Sequence, residues 1–294
     1  MKRNAIVRIV LFSIALLVLL SVLGVGLAAR YFSFDGIPFV KNGSAVGYSV
    51  VTQTPAPMAE KEDTVSTALD AEEIRELEIE WVAGNITILP KADTTQITIT
   101  EPRQTQSKYQ MRCTQNGSKL QIEFWQQDLV IHKTDISKDL TITVPMNWIC
   151  QELDIDSASA NVQVSDLTIG TVEFDGASGI CTFTDCRVDN LDMDTASGDI
   201  RFTGALDVLE CDAMSANCTL SVTNCPRRID VSSMSGDVDL TLPEGCGFTA
   251  SVDAMSSEFT SDFPTTITNG HHVHGDGSCR IQVDGMSGDI TIRK

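Results

Sequence analysis

The chain has 294 residues, a formal net charge of −19 and only 6% aromatic residues. Four of its 21 basic residues, Lys2, Arg3, Arg8 and Arg30, precede the first acid, Asp35, so from residue 31 onward 17 basic side chains face 40 acidic ones, a balance of −23. A surface this acidic repels nucleic acid and anionic lipid headgroups, which excludes a nucleic-acid partner and suits cations or basic partners.

The first element is apolar. Ile9 to Ala29 carries no charge, and its only hydroxyl residues are Ser13 and Ser21. At about 1.5 Å per residue this run spans a hydrocarbon core of roughly 30 Å. Lys2, Arg3 and Arg8 ahead of it keep the short N-terminus cytoplasmic and place the rest outside. Residues 1–30 are therefore expected to form one transmembrane helix, an uncleaved signal anchor. The rival is a cleaved signal peptide with Gly26-Leu27-Ala28 at the cleavage site, but signal h-regions run only about 7–15 residues. No cysteine precedes Cys113, so a lipid-modified N-terminal cysteine is excluded. Residues 31–69, broken by Gly36, Pro38, Gly43, Gly47, Pro55 and Pro57, read as a flexible stalk.

From residue 70 to 294 the apolar period is two. Leu77, Ile79 and Trp81, then Ile86 and Ile88, then Ile97 and Ile99 alternate with polar residues, which is strand patterning. Asn116-Gly117 reads as a tight hairpin turn. From Asp156 a repeat emerges: DSASANVQV, DGASGICTF, DTASGDIRF, DAMSANCTL, SSMSGDVDL, DAMSSEFTS and DGMSGDITI. The small residue after the shared serine falls at Ala160, Gly179, Gly198, Ala216, Gly236, Ser257 and Gly288, at spacings of 19, 19, 18, 20, 21 and 31. A period of about 20 predicts an all-β, single-stranded parallel β-helix or β-solenoid, one coil per repeat. Equivalent side chains then stack. Val162, Ile200, Cys218, Val238 and Ile290 share one inward slot, and Val164, Phe183, Phe202, Leu220, Leu240 and Ile292 share the next. Gly tolerates positive φ at the corner, and Asp or Asn caps its amides.

The corner motif Ser197-Gly198-Asp199, repeated as Ser235-Gly236-Asp237 and Ser287-Gly288-Asp289, resembles the bacterial putative-adhesin family called domain of unknown function 4097. The opening IRELEIEWVAGNITI at 74–88 is also similar to that family's first strands. The resemblance covers about residues 74–294 and implies a β-helical domain behind a membrane helix. It carries no catalytic residue set. Ala160, Ala216 and Ser257 depart from its glycine.

Three sets of residues could carry chemistry. Cys225 and Cys246 lie one coil apart, both in turns, and are the candidate disulfide. The other cysteines read as core thiols, since Cys181 and Cys218 share a slot two coils apart, about 9–10 Å, beyond disulfide reach. His271, His272, His274 and Cys279 fall together in the 31-residue spacing and are usable zinc ligands, weighed against a plain exposed loop. Asp156, Asp175, Asp194, Asp212, Asp253 and Asp284 recur before the corner, and Asn161, Asp199, Asn217, Asp237, Glu258 and Asp289 after it. These ladders suggest calcium or, more simply, turn capping with a solvated acidic edge.

No cofactor motif occurs. Between Asp156 and Pro264 the only basic residues are Arg187, Arg201, Arg227 and Arg228, so a lyase lacks a base. The expected function is a non-catalytic, membrane-anchored extracytoplasmic binding, adhesin-like or scaffold module, with an envelope protein or cell-wall component as partner. The alternatives are an envelope-stress sensor acting on a membrane protein, and a two-carboxylate polysaccharide hydrolase. A final coil ending at Lys294 would expose a strand edge, so segment 263–279 is expected to fold over it, or a partner to pair with it.

Overall fold

A computed structural model describes residues 49–50, 64–104, 106, 109–125 and 137–294. The expected anchor and most of the expected stalk lie outside these residues. Every element described is a β-strand, and among the described residues no helix is long and apolar enough to cross a membrane. The strand Thr64–Asp70 begins inside the segment expected as stalk. It pairs antiparallel with Gln96–Pro102, so the sheet starts before residue 70.

The strands form a solenoid-like stack with two main columns. One column holds the arm before each corner. Glu76–Lys91, Ile149–Ser165, Thr168–Gly176, Cys181–Ser197, Ile200–Ser215 and Arg228–Ser235 follow one another there in parallel register. The other column holds the arm after the corner, where Val162, Cys181, Ile200, Cys218, Val238 and Ile290 stand on one another. Alternation drives this packing, because every second residue points inward. Ile155, Phe174, Met193, Cys211, Val231 and Val283 form a third inward row, and all are at most 4% exposed. Each such burial stabilises by about 1.5–3 kcal/mol.

The stack is not purely parallel, which corrects the expectation of a single-stranded parallel β-helix. Beyond Glu76–Lys91 the sheet continues through Leu140–Pro145 to antiparallel Gln96–Pro102, and through Lys119–Glu123 to antiparallel Arg112–Asn116. The hairpin turn joining the last two contains Gly117 at φ 62°. At the other end His271–His274 and Thr266–Thr268 also pair antiparallel. Antiparallel ends need only short turns, whereas each parallel step needs a full coil.

Coil order departs from chain order at the C-terminus. Cys279–Ser287 lies between Arg228–Ser235 and Phe248–Ser256, and Ile290–Arg293 lies between Val238–Thr241 and Phe259–Ser261. The chain leaves a gap, builds coil 248–261, reverses through the 266–274 hairpin and returns to fill the gap. That detour accounts for the 31-residue spacing. Both edges of the last coil are paired: the Val238 amide donates to Asp289 O (2.9 Å) and the Ile290 amide to Glu258 O (2.9 Å). The final coil therefore exposes no edge, and segment 263–279 pairs along residues 248–250 instead of covering the chain terminus.

The corners line up in a column. Gly198 has φ 127°, and a Cβ built there would lie 1.9 Å from the Gly179 carbonyl oxygen. Gly236 repeats this against Ala216 O at 2.0 Å, and Gly288 stands on Gly236, 52 residues earlier. Ala160, Ala216 and Ser257 occupy the same column without positive φ, so the turn tolerates a second backbone shape. A second bend, at Asp166, Asp185 and Gly204, also takes positive φ.

Candidate functional site: an outward face of stacked carboxylates

The outward residues of the first column form two adjacent acidic rows. Glu78, Asp154, Glu173, Asp192, Glu210 and Asp230 stand in register on successive strands. Two residues along, Glu80, Asp156, Asp175, Asp194 and Asp212 make the second row, which continues through Ser232, Asp284 and Asp253. Strand pairing sets neighbours about 4.8 Å apart. At that separation like charges repel by ~1–3 kcal/mol, depending on how wet the site is. The sequence reading found the second row through its motif. It missed the first, although Asp154, Glu173, Asp192, Glu210 and Asp230 carry the same period.

Basic residues meet this face at both ends. Lys119 Nζ lies 3.0 Å from Glu78, and Arg228 lies 3.0 Å from Glu210 and 3.3 Å from Asp230. Gln121 Nε2 donates to Glu78 (3.0 Å) and Glu80 (3.2 Å). In the middle, burial first and then the surrounding Asp212, Asp175, Asp192 and Glu210 charges push the Asp194 carboxyl up to about 6. Burial, then Asp156, Glu78 and Glu173, does the same to Asp154, also to about 6. Asp156, Asp192 and Glu80 are raised as well, each chiefly by burial. Such a face gains from any cation that docks on it.

The ladder after the corner has a different task. Asn161 Oδ1 accepts the Ile180 amide (3.0 Å), Asn217 Oδ1 the Asp237 amide (3.0 Å), Asp237 Oδ1 the Asp289 amide (2.9 Å) and Asp289 Oδ1 the Glu258 amide (3.1 Å). Asn217 Nδ2 donates to Asp199 Oδ1 (3.1 Å). Each side chain caps the amide of the next coil in space, so the Ser-Gly-Asp corners at 197–199, 235–237 and 287–289 are structural turns.

Aromatic rings take up two of the histidines. His272 packs its ring 4.1 Å from Phe259, while His274 packs on Phe263 at 4.9 Å with Nδ1 2.9 Å from Pro264 O. Cys279 is buried, and burial lifts its thiol to about 12, so it stays protonated and is a poor ligand. Among the described residues no group of His, Cys, Asp or Glu is placed to hold a metal ion. The set His271, His272, His274 and Cys279 therefore does not converge, because aromatic packing and burial claim its members. Cys225 and Cys246 are bonded, with Cα atoms 5.1 Å apart. Cys150, Cys181, Cys186, Cys211 and Cys218 are free buried thiols.

One constellation had no sequence signal. Lys138 and Glu101 form an ion pair whose side chains are 1% and 0% exposed. Lys138 Nζ also donates to Tyr109 O (2.9 Å) and sits 4.8 Å from the Trp81 ring centroid, while Glu101 accepts the Met111 amide (2.6 Å). Burial lowers the lysine and raises the glutamate. All of these groups are satisfied by one another, which marks the pair as a structural clasp on the N-terminal strands.

The Toastrack DUF4097 family profile matches residues 74–207 and again residues 135–293. The chain belongs to this family. Solved structures similar to this Toastrack chain include a putative adhesin from Parabacteroides distasonis (13% identity, 78% of this chain and 96% of that one, TM-score 0.42). Others are a putative adhesin from Bacteroides fragilis (13%, 80% and 98%, 0.41) and one from Parabacteroides merdae (12%, 79% and 97%, 0.41). At these scores they assign no function to the Toastrack domain. No curated protein matches the chain.

Proposed function

We propose that this protein is a non-catalytic, membrane-anchored extracytoplasmic module that binds a cationic envelope partner through its double row of carboxylates. The observation that carries this reading is the in-register pair of rows, Glu78 to Asp230 and Glu80 to Asp212, with Lys119 at one end and Arg228 at the other. A rigid sheet holds these charges at fixed spacing without the loss of side-chain freedom that a flexible acidic tail would suffer. A basic peptide or a cationic wall polymer laid along the rows relieves their mutual repulsion. Two other arginines are held by acids away from the rows: Arg201 by Asp199 (2.6 Å) and Arg227 by Asp207 (3.4 Å). That arrangement supplies charge for docking.

The test uses full-length protein in detergent, with oligolysine and isolated cell-wall material as probes. Replacing Asp154, Asp156, Asp192 and Asp194 together by asparagine should weaken binding at least tenfold, and rising salt should do the same. Binding that ignores both changes, or no binding at low salt, refutes the docking face. Turnover of a glycan by the purified protein would overturn the non-catalytic reading.

A further inference from the structure

A third outward row runs beside the two acidic ones, and its composition changes along the rod. In the coils nearer the N-terminus it holds Ala158, Ala177 and Ala196, each just before the corner serine or its equivalent. In the next four coils it holds methionine every time: Met214, Met234, Met286 and Met255. The registers Ser215 to Ser235, Ser235 to Ser287 and Ser256 to Ser287 place these four on consecutive strands, in that spatial order. The order follows the inserted C-terminal coil, so two methionines 52 residues apart in sequence are neighbours in the row. Met234, Met286 and Met255 are 41%, 51% and 83% exposed. By contrast Met111 and Met193 are buried, the ordinary place for this side chain.

We propose that this row is a binding site for a soft monovalent cation of the copper(I) or silver(I) class, held by thioether sulfurs. Thioethers are soft ligands that select such ions over calcium, magnesium or zinc. Adjacent strands place the four side chains about 4.8 Å apart, and three rotatable bonds in each let neighbouring sulfurs close on one ion. The residue two positions earlier on the same face is Asp212, Ser232, Asp284 or Asp253, so carboxylates flank the sulfurs and balance the ion's charge. Thioethers also suit a compartment where a disulfide forms, since an exposed pair of thiols there would oxidise and lose its ligand character. Apolar contact alone would be served as well by leucine or isoleucine, yet all four positions carry sulfur.

The test titrates full-length protein, its methionine methyls labelled with carbon-13, with silver nitrate in chloride-free buffer. A parallel titration uses copper(I) in competition with a colorimetric chelator. At stoichiometric silver the methyl signals of Met214, Met234, Met255 and Met286 should shift, while those of Met111 and Met193 stay in place. The variant M214L/M234L/M255L/M286L keeps side-chain volume and every cysteine, so it should fold with an unchanged circular dichroism spectrum and bind copper(I) at least tenfold more weakly. Unmoved methionine methyls in the wild-type protein would overturn the proposal on their own. So would an unchanged affinity in the leucine variant, which would assign the metal to the buried thiols.

Discussion

Replacing Gly198 by alanine should destabilise the protein far more than replacing Gly117 by alanine, although both glycines have positive φ. At Gly117 a Cβ meets nothing within 4 Å, so the cost is the strained backbone alone, about 1 kcal/mol. At Gly198 the same atom would lie 1.9 Å from Gly179 O, and φ is 127°. Backbone strain in this sparsely populated region costs ~1–3 kcal/mol. Relieving the clash must also push two coils apart beside the bonds from the Cys181 amide to Asp199 O (2.9 Å) and from the Ile200 amide to Asn217 O (2.8 Å). Loosening both adds ~1–2 kcal/mol, for a total of about 2–5 kcal/mol. In a domain of this size that lowers Tm by roughly 4–20 °C. Urea unfolding and thermal circular dichroism of the two variants measure the difference. Equal destabilisation would mean that the corners do not rest on one another.

The Glu101–Lys138 clasp predicts an asymmetry. Lys138→Met alone leaves a buried carboxylate and should cost about 3–5 kcal/mol, whereas Lys138→Met with Glu101→Leu should recover most of that loss in the same urea assay. The acidic face makes stability depend on pH. Asp154 and Asp194 titrate near 6 in the fold against 3.8 ordinarily, so their contribution is full below about pH 4 and fades as pH rises through 6. Screening of these half-exposed groups leaves roughly 1 kcal/mol each, so the protein should be more stable at pH 5 than at pH 7.5, and Asp194→Asn should flatten the profile. Deleting residues 263–279 strips the antiparallel partner from residues 248–250 and removes the path back to the gap. The deletion variant should aggregate on size-exclusion chromatography, and a soluble monomer would contradict the role given to the hairpin.

The sequence made the slots legible and hid their order. Alternation and the twenty-residue period place Val162, Ile200, Cys218, Val238 and Ile290 in one inward row, because side-chain direction and coil length are local properties. Coil order is not local. The motif at 284–292 is nearly the same as that at 232–240, so either neighbour accepts it, and only the long spacing before it hints at a detour. The acidic face was half legible. Its motif-bearing row was visible, whereas the row two residues earlier falls outside the repeat window while sharing its alternation. Glu101 and Lys138 could not be paired from sequence, since 37 residues separate them and neither sits in a repeat. The histidines looked like ligands because they are close in sequence, but alternation turns His271 away from His272 and His274, and those two rings are taken up by Phe259 and Phe263.

Insertion of the last coil between its two predecessors is tested most directly by cysteine crosslinking. Ser232 and Asp284 are register partners on adjacent strands, while Asp253 lies one strand further on, paired with Asp284. Adjacent parallel strands bring Cα atoms to about 4.8 Å, within disulfide reach, and the strand beyond stands near 10 Å, outside it. After mild oxidation, Ser232→Cys with Asp284→Cys should form an intramolecular disulfide detectable by mass spectrometry, and Ser232→Cys with Asp253→Cys should not. The opposite result would place the coils in chain order and contradict the stack described above.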